Sequence, residues 1–272
     1  MFEIFNIVIT NPITNLLVGF YKLFVLFHVP FAFGLSIIAL TAAIRFILYP
    51  FTSSQIKSAH KMQKIAPHMS AIREKHKGDS KRQNEEMMKL YKEHGVNPAA
   101  GCLPLLIQLP VTISLYYVLR TAVAIHSLKS LAPINKILYF DFLKLQRVWD
   151  TSFFGMSLGD SPSKLFAHMP LIILIPILTG VFQFVLSKMM MPEESALVPT
   201  TAKQEKKEDD FQAAFQKQSM ILFPIMIGYF SFSFPVGLSL YWNTFTIFGI
   251  LQQYILVGPG SAKKWLDKVK RQ

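Results

Sequence analysis

Residues 29–51 form an apolar run, VPFAFGLSIIALTAAIRFILYPF, in which the only charged residue is Arg45. A run of roughly 18 or more almost entirely apolar residues predicts a transmembrane helix. Placing an arginine inside such a helix costs about 2.5–3.5 kcal/mol on insertion scales. We therefore expect the protein to use Arg45 for a function that needs a positive charge within the membrane.

The composition indicates a polytopic membrane protein that is all-α. Of the 272 residues, 51% are hydrophobic, which is high for a soluble protein of this length. The net charge of +12 is attributed to basic cytoplasmic loops, and no specific nucleic-acid partner is expected. The single cysteine, Cys102, excludes a disulfide within the chain and any multi-cysteine metal site.

The sequence lacks the motifs expected of a nucleotide-driven machine or of an enzyme. The chain contains no GxxxxGK[ST] loop, which argues against a machine driven by ATP. No nucleophile–base pairing or metal-ligand cluster falls near the predicted spans. The sequence therefore predicts a protein that is not an enzyme and that needs no cofactor or metal.

Hydrophobic periodicity divides the chain into five transmembrane helices (TM1–TM5), an N-terminal interfacial helix and a cytoplasmic helical hairpin. The interfacial helix is predicted to start at Asn11-Pro12 and to run for about 16 residues, which is short for a span. A sixth span is the alternative for this segment. The predicted segments are an extracytoplasmic interfacial helix (1–28), TM1 (29–54), the cytoplasmic hairpin (55–97), TM2 (98–124), an extracytoplasmic loop (125–168), TM3 (169–190), a polar cytoplasmic loop (191–217), TM4 (218–233), TM5 (238–257) and a basic cytoplasmic tail (258–272).

Lysine and arginine are distributed unevenly among the segments between the predicted spans. Segments 52–97, 188–217 and 258–272 hold 20 of them, whereas segments 1–28 and 125–168 hold 6. Because cytoplasmic loops are enriched in Lys and Arg, this asymmetry predicts an N-terminus outside and a C-terminus in the cytoplasm.

Polar residues recur at helical spacing inside four of the five predicted spans. Residues four apart share a helix face, and hydrogen bonds between packed helices, worth roughly 0.6 kcal/mol each, would account for any one of them. Four such stripes and Arg45 together favour a hydrated cavity with the arginine inside it. Snorkelling of Arg45 to the cytoplasmic interface is the competing interpretation. The stripes are Thr41, Arg45 and Tyr49; Gln108, Thr112 and Tyr116; Thr179, Gln183 and Ser187; and Ser239, Trp242 or Asn243, Thr246 and Gln253.

Several motifs, taken in order, resemble those of the YidC family of membrane protein insertases, which includes mitochondrial oxidase-assembly and chloroplast Albino relatives. The resemblance covers residues 12 to 257. The motifs are LTAAIRFILYP (40–50), MQKIAPHMSAIREKHKGD (62–79), NPAAGCLPLLIQLP (97–110), FPVGLSLYW (234–242) and the pair Gln252-Gln253.

The resemblance implies a five-span core with a positively charged hydrophilic groove that is open to the cytoplasm and to lipid. Where the family often has Ser-Asn after its Leu-Tyr-Trp motif, this chain has Phe245-Thr246, which weakens any role assigned there, and Asn243 is the candidate to supply the amide instead. The substrate-binding residues implied by the motifs are Arg45, Thr41, Gln108, Gln183 and Trp242.

The expected function is insertion of client proteins into the bacterial cytoplasmic membrane, without nucleotide hydrolysis. The resemblance implies nascent membrane proteins and the lipid bilayer as partners, with the Sec translocon and the ribosome as further candidates. Two alternatives from other classes stay open on the residues alone. One is a small-solute transporter or channel that uses the polar stripes as a pathway, and the other is a membrane-anchored scaffold that acts through its basic hairpin.

Overall fold

A computed structural model describes residues 2–96, 103–123, 128–191 and 209–263, and most of these residues are helical. Two short antiparallel strands, β1 (Ser152–Phe153) and β2 (Met156–Ser157), form a small hairpin that departs from the all-α prediction. The helices are α1 (Phe2–Phe5), α2 (Asn11–Leu26), α3 (Ala32–Ile47), α4 (Tyr49–Lys75), α5 (Ser80–Glu93), α6 (Leu103–Val123), α7 (Ala132–Ile137), α8 (Pro162–Leu165), α9 (Leu174–Met189), α10 (Asp209–Ser233) and α11 (Val236–Val257).

The N-terminal helix is longer than predicted. A π-helical turn, Asn6–Thr10, joins α1 to α2, and helix therefore continues through the point at which Asn11-Pro12 was expected to start it. Proline has no N–H to donate, and in the turn before it the N–H of Asn11 bonds the carbonyl of Asn6, five residues back. The resulting helix, Glu3–Leu26, has 24 residues, so shortness no longer argues for an interfacial position.

By length and composition, two described helical segments could cross a membrane, namely Glu3–Leu26 and Pro170–Met189. A third is added if Ala32–Ile47 and Tyr49–Lys75 are counted as one interrupted span. Helix α11 carries Ser, Thr, Asn and Gln side chains along its length, which reduces its apolar character. The chain is thus a mainly helical membrane protein, and the count of five spans stays a prediction.

Two predicted segment ends do not coincide with helix ends in the structure. Helix α3 ends at Ile47 and α4 starts at Tyr49, so the break precedes the predicted end of TM1 at residue 54. Pro50 explains this position, because proline suits the first turn of a helix and cannot continue the one before it. Helix α10 begins at Asp209, ahead of the predicted residue 218. Residues 192–208 of the predicted loop, 97–102 before α6 and 264–272 of the tail lie outside the described residues.

The described chain divides into two compact units. In the first, α2 and α3 pack against each other through apolar side chains at helical spacing, including Ile13 and Leu17 on α2 and Phe33, Ile37 and Leu40 on α3. Close packing of this kind holds helices together in lipid, where there is little hydrophobic driving force between them. The first unit comprises Met1–Ile47, Leu105–Gln183 and Pro224–Phe248, and the second comprises Leu48–Pro104, Phe184–Phe223 and Gly249–Gln272.

The segment between α6 and α9 belongs to the first unit and packs against its helices. The indole of Trp149 is buried and donates to the carbonyl of Ala122 at 2.8 Å. The ring of Phe153, in β1, covers Gly34 so closely that a Cβ at that position would overlap the ring. This connection therefore has a defined structure of its own.

Two polar residues of α2 bind the main chain of the same segment. The Asn15 side-chain amide donates one hydrogen bond of 2.9 Å and accepts another of 2.7 Å. The ammonium group of Lys22 donates two hydrogen bonds of 2.6 Å each. The main-chain atoms that they bind belong to Ile137 and Tyr139 for Asn15, and to Phe142 and Lys144 for Lys22.

In the second unit, α4 and α5 pack around a small apolar core. Asp79 caps α5, because its carboxylate accepts from the N–H of Arg82 at 3.0 Å. The last carbonyls of α9, which have no partner within their own helix, accept hydrogen bonds from side chains of other elements. The core residues are Ile65, Leu90, Tyr91 and Val96, and the donors to α9 are Gln253 to Met189, Ser261 to Lys188 and Gln63 to Met190.

Candidate functional site

Arg45 is almost completely buried near the C-terminal end of α3, with 7% of its surface exposed. Its guanidinium lies over the ring of Phe245, 3.5 Å from the ring centroid. One terminal nitrogen, Nη2, also donates to the main-chain carbonyl of Phe245 at 2.6 Å. A cation over an aromatic face is attracted by the ring quadrupole, and the attraction grows when both groups are shielded from water.

A second polar side chain reaches the same face of α11 from α6. The amide nitrogen of Gln108 donates to the hydroxyl of Tyr241 at 2.7 Å and to that of Thr112 at 3.1 Å. Tyr241 and Phe245 are four residues apart and share a helix face. We call Arg45, Gln108, Thr112, Tyr241 and Phe245 the arginine cluster.

Thr41 lies one turn before Arg45 on α3 and is fully buried. Its hydroxyl donates to the carbonyl of Ile37 at 2.7 Å, within its own helix. Such a back-bond satisfies the donor locally. The contacts of Thr41 are therefore those of a packing residue beside the arginine cluster.

A second polar group forms where α9, α10 and α11 meet. The hydroxyls of Thr179 and Ser231 are 3.2 Å apart, and those of Ser231 and Ser239 are 2.8 Å apart. All three side chains are buried. We call them the hydroxyl cluster. Ser231 comes from the predicted span that, on the sequence, lacks a polar stripe through its middle.

Two glycines allow α9 and α10 to approach closely beside the hydroxyl cluster. A Cβ added at Gly228 would lie 3.1 Å from the carbonyl oxygen of Pro176 and 3.6 Å from the Cα of Gly180. Small residues at such crossings let helix backbones touch. Direct backbone contact brings the short Ser and Thr side chains within hydrogen-bonding distance.

The two clusters lie on opposite faces of α11. Asn243 follows Ser239 by four residues, and it is rotated by about 200° from both Tyr241 and Phe245. Gln183 follows Thr179 by four residues on α9 and is half-buried. The predicted site residues therefore separate into Arg45, Thr41 and Gln108 on one side and Gln183 and Asn243 on the other.

Two of the predicted site residues, Trp242 and Asn243, lie on α11 itself. Trp242 is half-buried, and its main-chain carbonyl accepts from the hydroxyl of Thr246 at 2.9 Å. The side-chain oxygen of Asn243 is buried without a hydrogen-bond partner in the part of the chain that the structure describes. Tyr241 and Phe245 are the cluster members that the sequence did not single out. The signal that could have found them is the pair of aromatic residues four positions apart within a polar span.

Comparison with known proteins identifies the family. A family model described as 60Kd inner membrane protein matches residues 25–261. The chain is also 32% identical to the membrane protein insertase YidC of Fusobacterium nucleatum over 229 residues, which cover 84% of this chain and 88% of the bacterial protein. The chain belongs to the YidC family. The resemblance that the sequence motifs indicate is thereby confirmed.

Two further YidC-family relatives match at similar identity. The membrane protein insertase YidC of Oceanobacillus iheyensis is 32% identical over 237 residues, which cover 85% of this chain and 77% of that protein. The chloroplastic inner membrane protein ALBINO3 of Arabidopsis thaliana is 33% identical over 257 residues, which cover 89% of this chain. The match spans 50% of the plant protein.

Proposed function

We propose that this YidC-family protein is a membrane protein insertase that moves polar N-terminal tails or short loops of client proteins across the membrane without nucleotide hydrolysis. The observation that carries the proposal is the family match over residues 25–261, together with relatives named as insertases. The buried positive charge of Arg45, in a helix that forms part of the family-matched region, adds chemical support.

The proposed topology has five spans, which contain α3, α6, α9, α10 and α11. The N-terminus lies outside and the C-terminus in the cytoplasm, in agreement with the excess of Lys and Arg in segments 52–97, 188–217 and 258–272. Helices α4 and α5 then form a cytoplasmic hairpin. The N-terminal helix lies at the outer interface, a position supported by the hydrogen bonds of Asn15 and Lys22 to residues 137–144.

The main barrier to insertion is the transfer of a client's polar segment through hydrocarbon. We propose that the polar side chains around α11 line a hydrated groove that shortens this apolar path. The half-buried Gln108 supports this arrangement, because it places a hydrogen-bonding side chain on the face of α11 that also contacts Arg45. Arg45 attracts carboxylates of the client, and a charge pair at about 4 Å is worth roughly 4 kcal/mol at an effective dielectric constant of 20.

Completion of transfer needs no chemical energy from the insertase. The client's own helix enters lipid favourably, by about 0.3–0.6 kcal/mol for each large apolar residue. For a helix of ordinary span length, the favourable free energy of entering lipid therefore exceeds the attraction of the client to Arg45, and the client can dissociate. Nascent membrane proteins and the bilayer are the proposed partners, and the basic hairpin is the proposed contact for a Sec translocon or a ribosome.

Insertion of a short model client into liposomes tests the proposal. The client carries an N-terminal tail with acidic residues and one apolar span, and a tail shielded from added protease reports insertion. We expect insertion to require the purified protein and to be unchanged when ATP is removed by apyrase. Equal insertion into protein-free liposomes would refute the proposal, and an ion leak through the same liposomes would indicate a channel instead.

A further inference from the structure

We propose that Phe245 is a positioning residue for Arg45, and that its ring sets how strongly the protein discriminates carboxylate-bearing client segments from neutral ones. The proposal rests on the insertase function proposed above. It assigns a role to a side chain that the sequence motifs leave without one.

The geometry of Phe245 around Arg45 supports this role. Phe245 makes two different contacts with one guanidinium, the ring at 3.5 Å from the centroid and the main-chain carbonyl at 2.6 Å from Nη2. Contact with the ring restricts the tilt of the guanidinium, and the hydrogen bond from Nη2 restricts its rotation. Together the two contacts reduce the conformational freedom of a long side chain with several rotatable bonds.

Each kind of partner uses a different part of the guanidinium. An aromatic ring contacts the face of the group, whereas a carboxylate binds along its edge through paired N–H donors. The ring of Phe245 therefore contacts Arg45 without accepting any of its N–H donors. An arginine that is already ordered loses less conformational entropy when a carboxylate binds.

Substitutions at Phe245 can distinguish the role of its aromatic ring from the role of its main-chain carbonyl. Substitution by Leu removes the π-face while keeping an apolar side chain and the main-chain carbonyl. Substitution by Tyr keeps the π-face. Phe248, about one turn further along α11, contacts Phe46 edge-to-face with 5.8 Å between ring centroids, and it gives a matched control for loss of an aromatic ring from the same helix.

The experiment compares two liposome clients that differ only in having Asp or Asn at the acidic tail positions. We expect Phe245→Leu to lower insertion of the Asp client by about tenfold, the scale of a lost cation–π contact, with little change for the Asn client. Phe245→Tyr and Phe248→Leu should keep the wild-type ratio of the two clients. An unchanged ratio in Phe245→Leu, or an equal loss for both clients, would overturn the proposal.

A second measurement does not depend on insertion. In protein labelled with ¹⁵N-arginine, the side-chain N–H signals of Arg45 should be displaced by the ring current of Phe245, with assignment by Arg45→Lys. The displacement should disappear in Phe245→Leu, or in Phe245→Met if the Leu variant does not fold. Undisplaced signals in the wild type would refute the stack itself, whereas absent liposome insertion with displaced signals would refute the proposed function and not the geometry.

Discussion

The guanidinium of Arg45 lies 3.5 Å from the ring centroid of Phe245, a residue that follows it by 200 positions in the chain. The contact joins α3 to α11 and places a permanent charge against an aromatic face and a main-chain oxygen. The other members of the arginine cluster carry no formal charge at neutral pH. The arginine cluster itself therefore contributes no negative charge next to the guanidinium.

Replacing Arg45 by alanine should lower insertion of a client with an acidic tail by at least about tenfold, because the loss of one charge pair removes more than 1.4 kcal/mol of attraction. Arg45→Lys should give an intermediate rate, since it keeps the charge but not the planar group that stacks and binds two oxygens. The measurement is liposome insertion. The control is Arg120→Ala, which removes an exposed arginine from α6. Equal rates for wild type and Arg45→Ala would contradict the electrostatic mechanism.

Removing the hydroxyl of Tyr241 should destabilise the first unit by about 1 kcal/mol, because the half-buried amide of Gln108 loses an acceptor at 2.7 Å. The free energy of unfolding of Tyr241→Phe in detergent checks this value. Tyr117→Phe is the matched control, since that side chain is 52% exposed, and it should unfold as the wild type does. A Tyr241→Phe protein as stable as the control would show that Gln108 finds another partner.

Adding a methyl group at Gly228 should weaken the contact between α9 and α10. The new Cβ would lie 3.1 Å from the carbonyl oxygen of Pro176, and such overpacking typically costs about 1–3 kcal/mol. Gly19→Ala is the control, because its nearest neighbour would be a side-chain carbon of Leu143 at 3.9 Å. Thermal unfolding of both variants should show a lower midpoint for Gly228→Ala alone, and equal midpoints would mean that the helices separate at no cost.

Replacing Lys22 by methionine should loosen the segment around residues 139–145. The ammonium group donates to the carbonyls of Phe142 and Lys144, and its loss should speed hydrogen exchange there roughly fivefold, equivalent to about 1 kcal/mol of local stability. The amides of Leu143 and Lys144, which bond within the turn, report the change. Lys136→Met removes an exposed lysine from α7 and should leave their exchange rates unaltered. Acceleration in both variants would point to a general charge effect.

Local patterns in the sequence predicted much of the helical framework. The apolar run at residues 29–51 indicated the helix that contains Arg45, and spacing placed Thr41 and Arg45 on neighbouring turns of it. The start of the N-terminal helix was wrong, because Asn11-Pro12 has the composition of a helix start. Asn11-Pro12 lies within a longer helix because a π-helical turn precedes it, and no local sequence pattern predicts that turn.

The candidate site was only partly predictable, for a different reason. Periodicity identifies which residues share a face of one helix, but the packing of distant segments decides which faces meet. The hydrated cavity stays a prediction, and the structure shows that Gln108 and Ser239 lie beside opposite faces of α11. The stack of Phe245 on Arg45 was missed because on the sequence Phe245 was only a departure from a family motif.

The contact between Gly180 and Gly228 has a consequence for the route that a client would take in the proposed insertase function. Backbone atoms of α9 and α10 are in contact there, and so close an approach leaves no space between the two helices for another polypeptide. At the depth of Gly180 and Gly228, α9 and α10 therefore form a continuous surface. In the proposed insertase function, a client would therefore have to enter the lipid between another pair of helices.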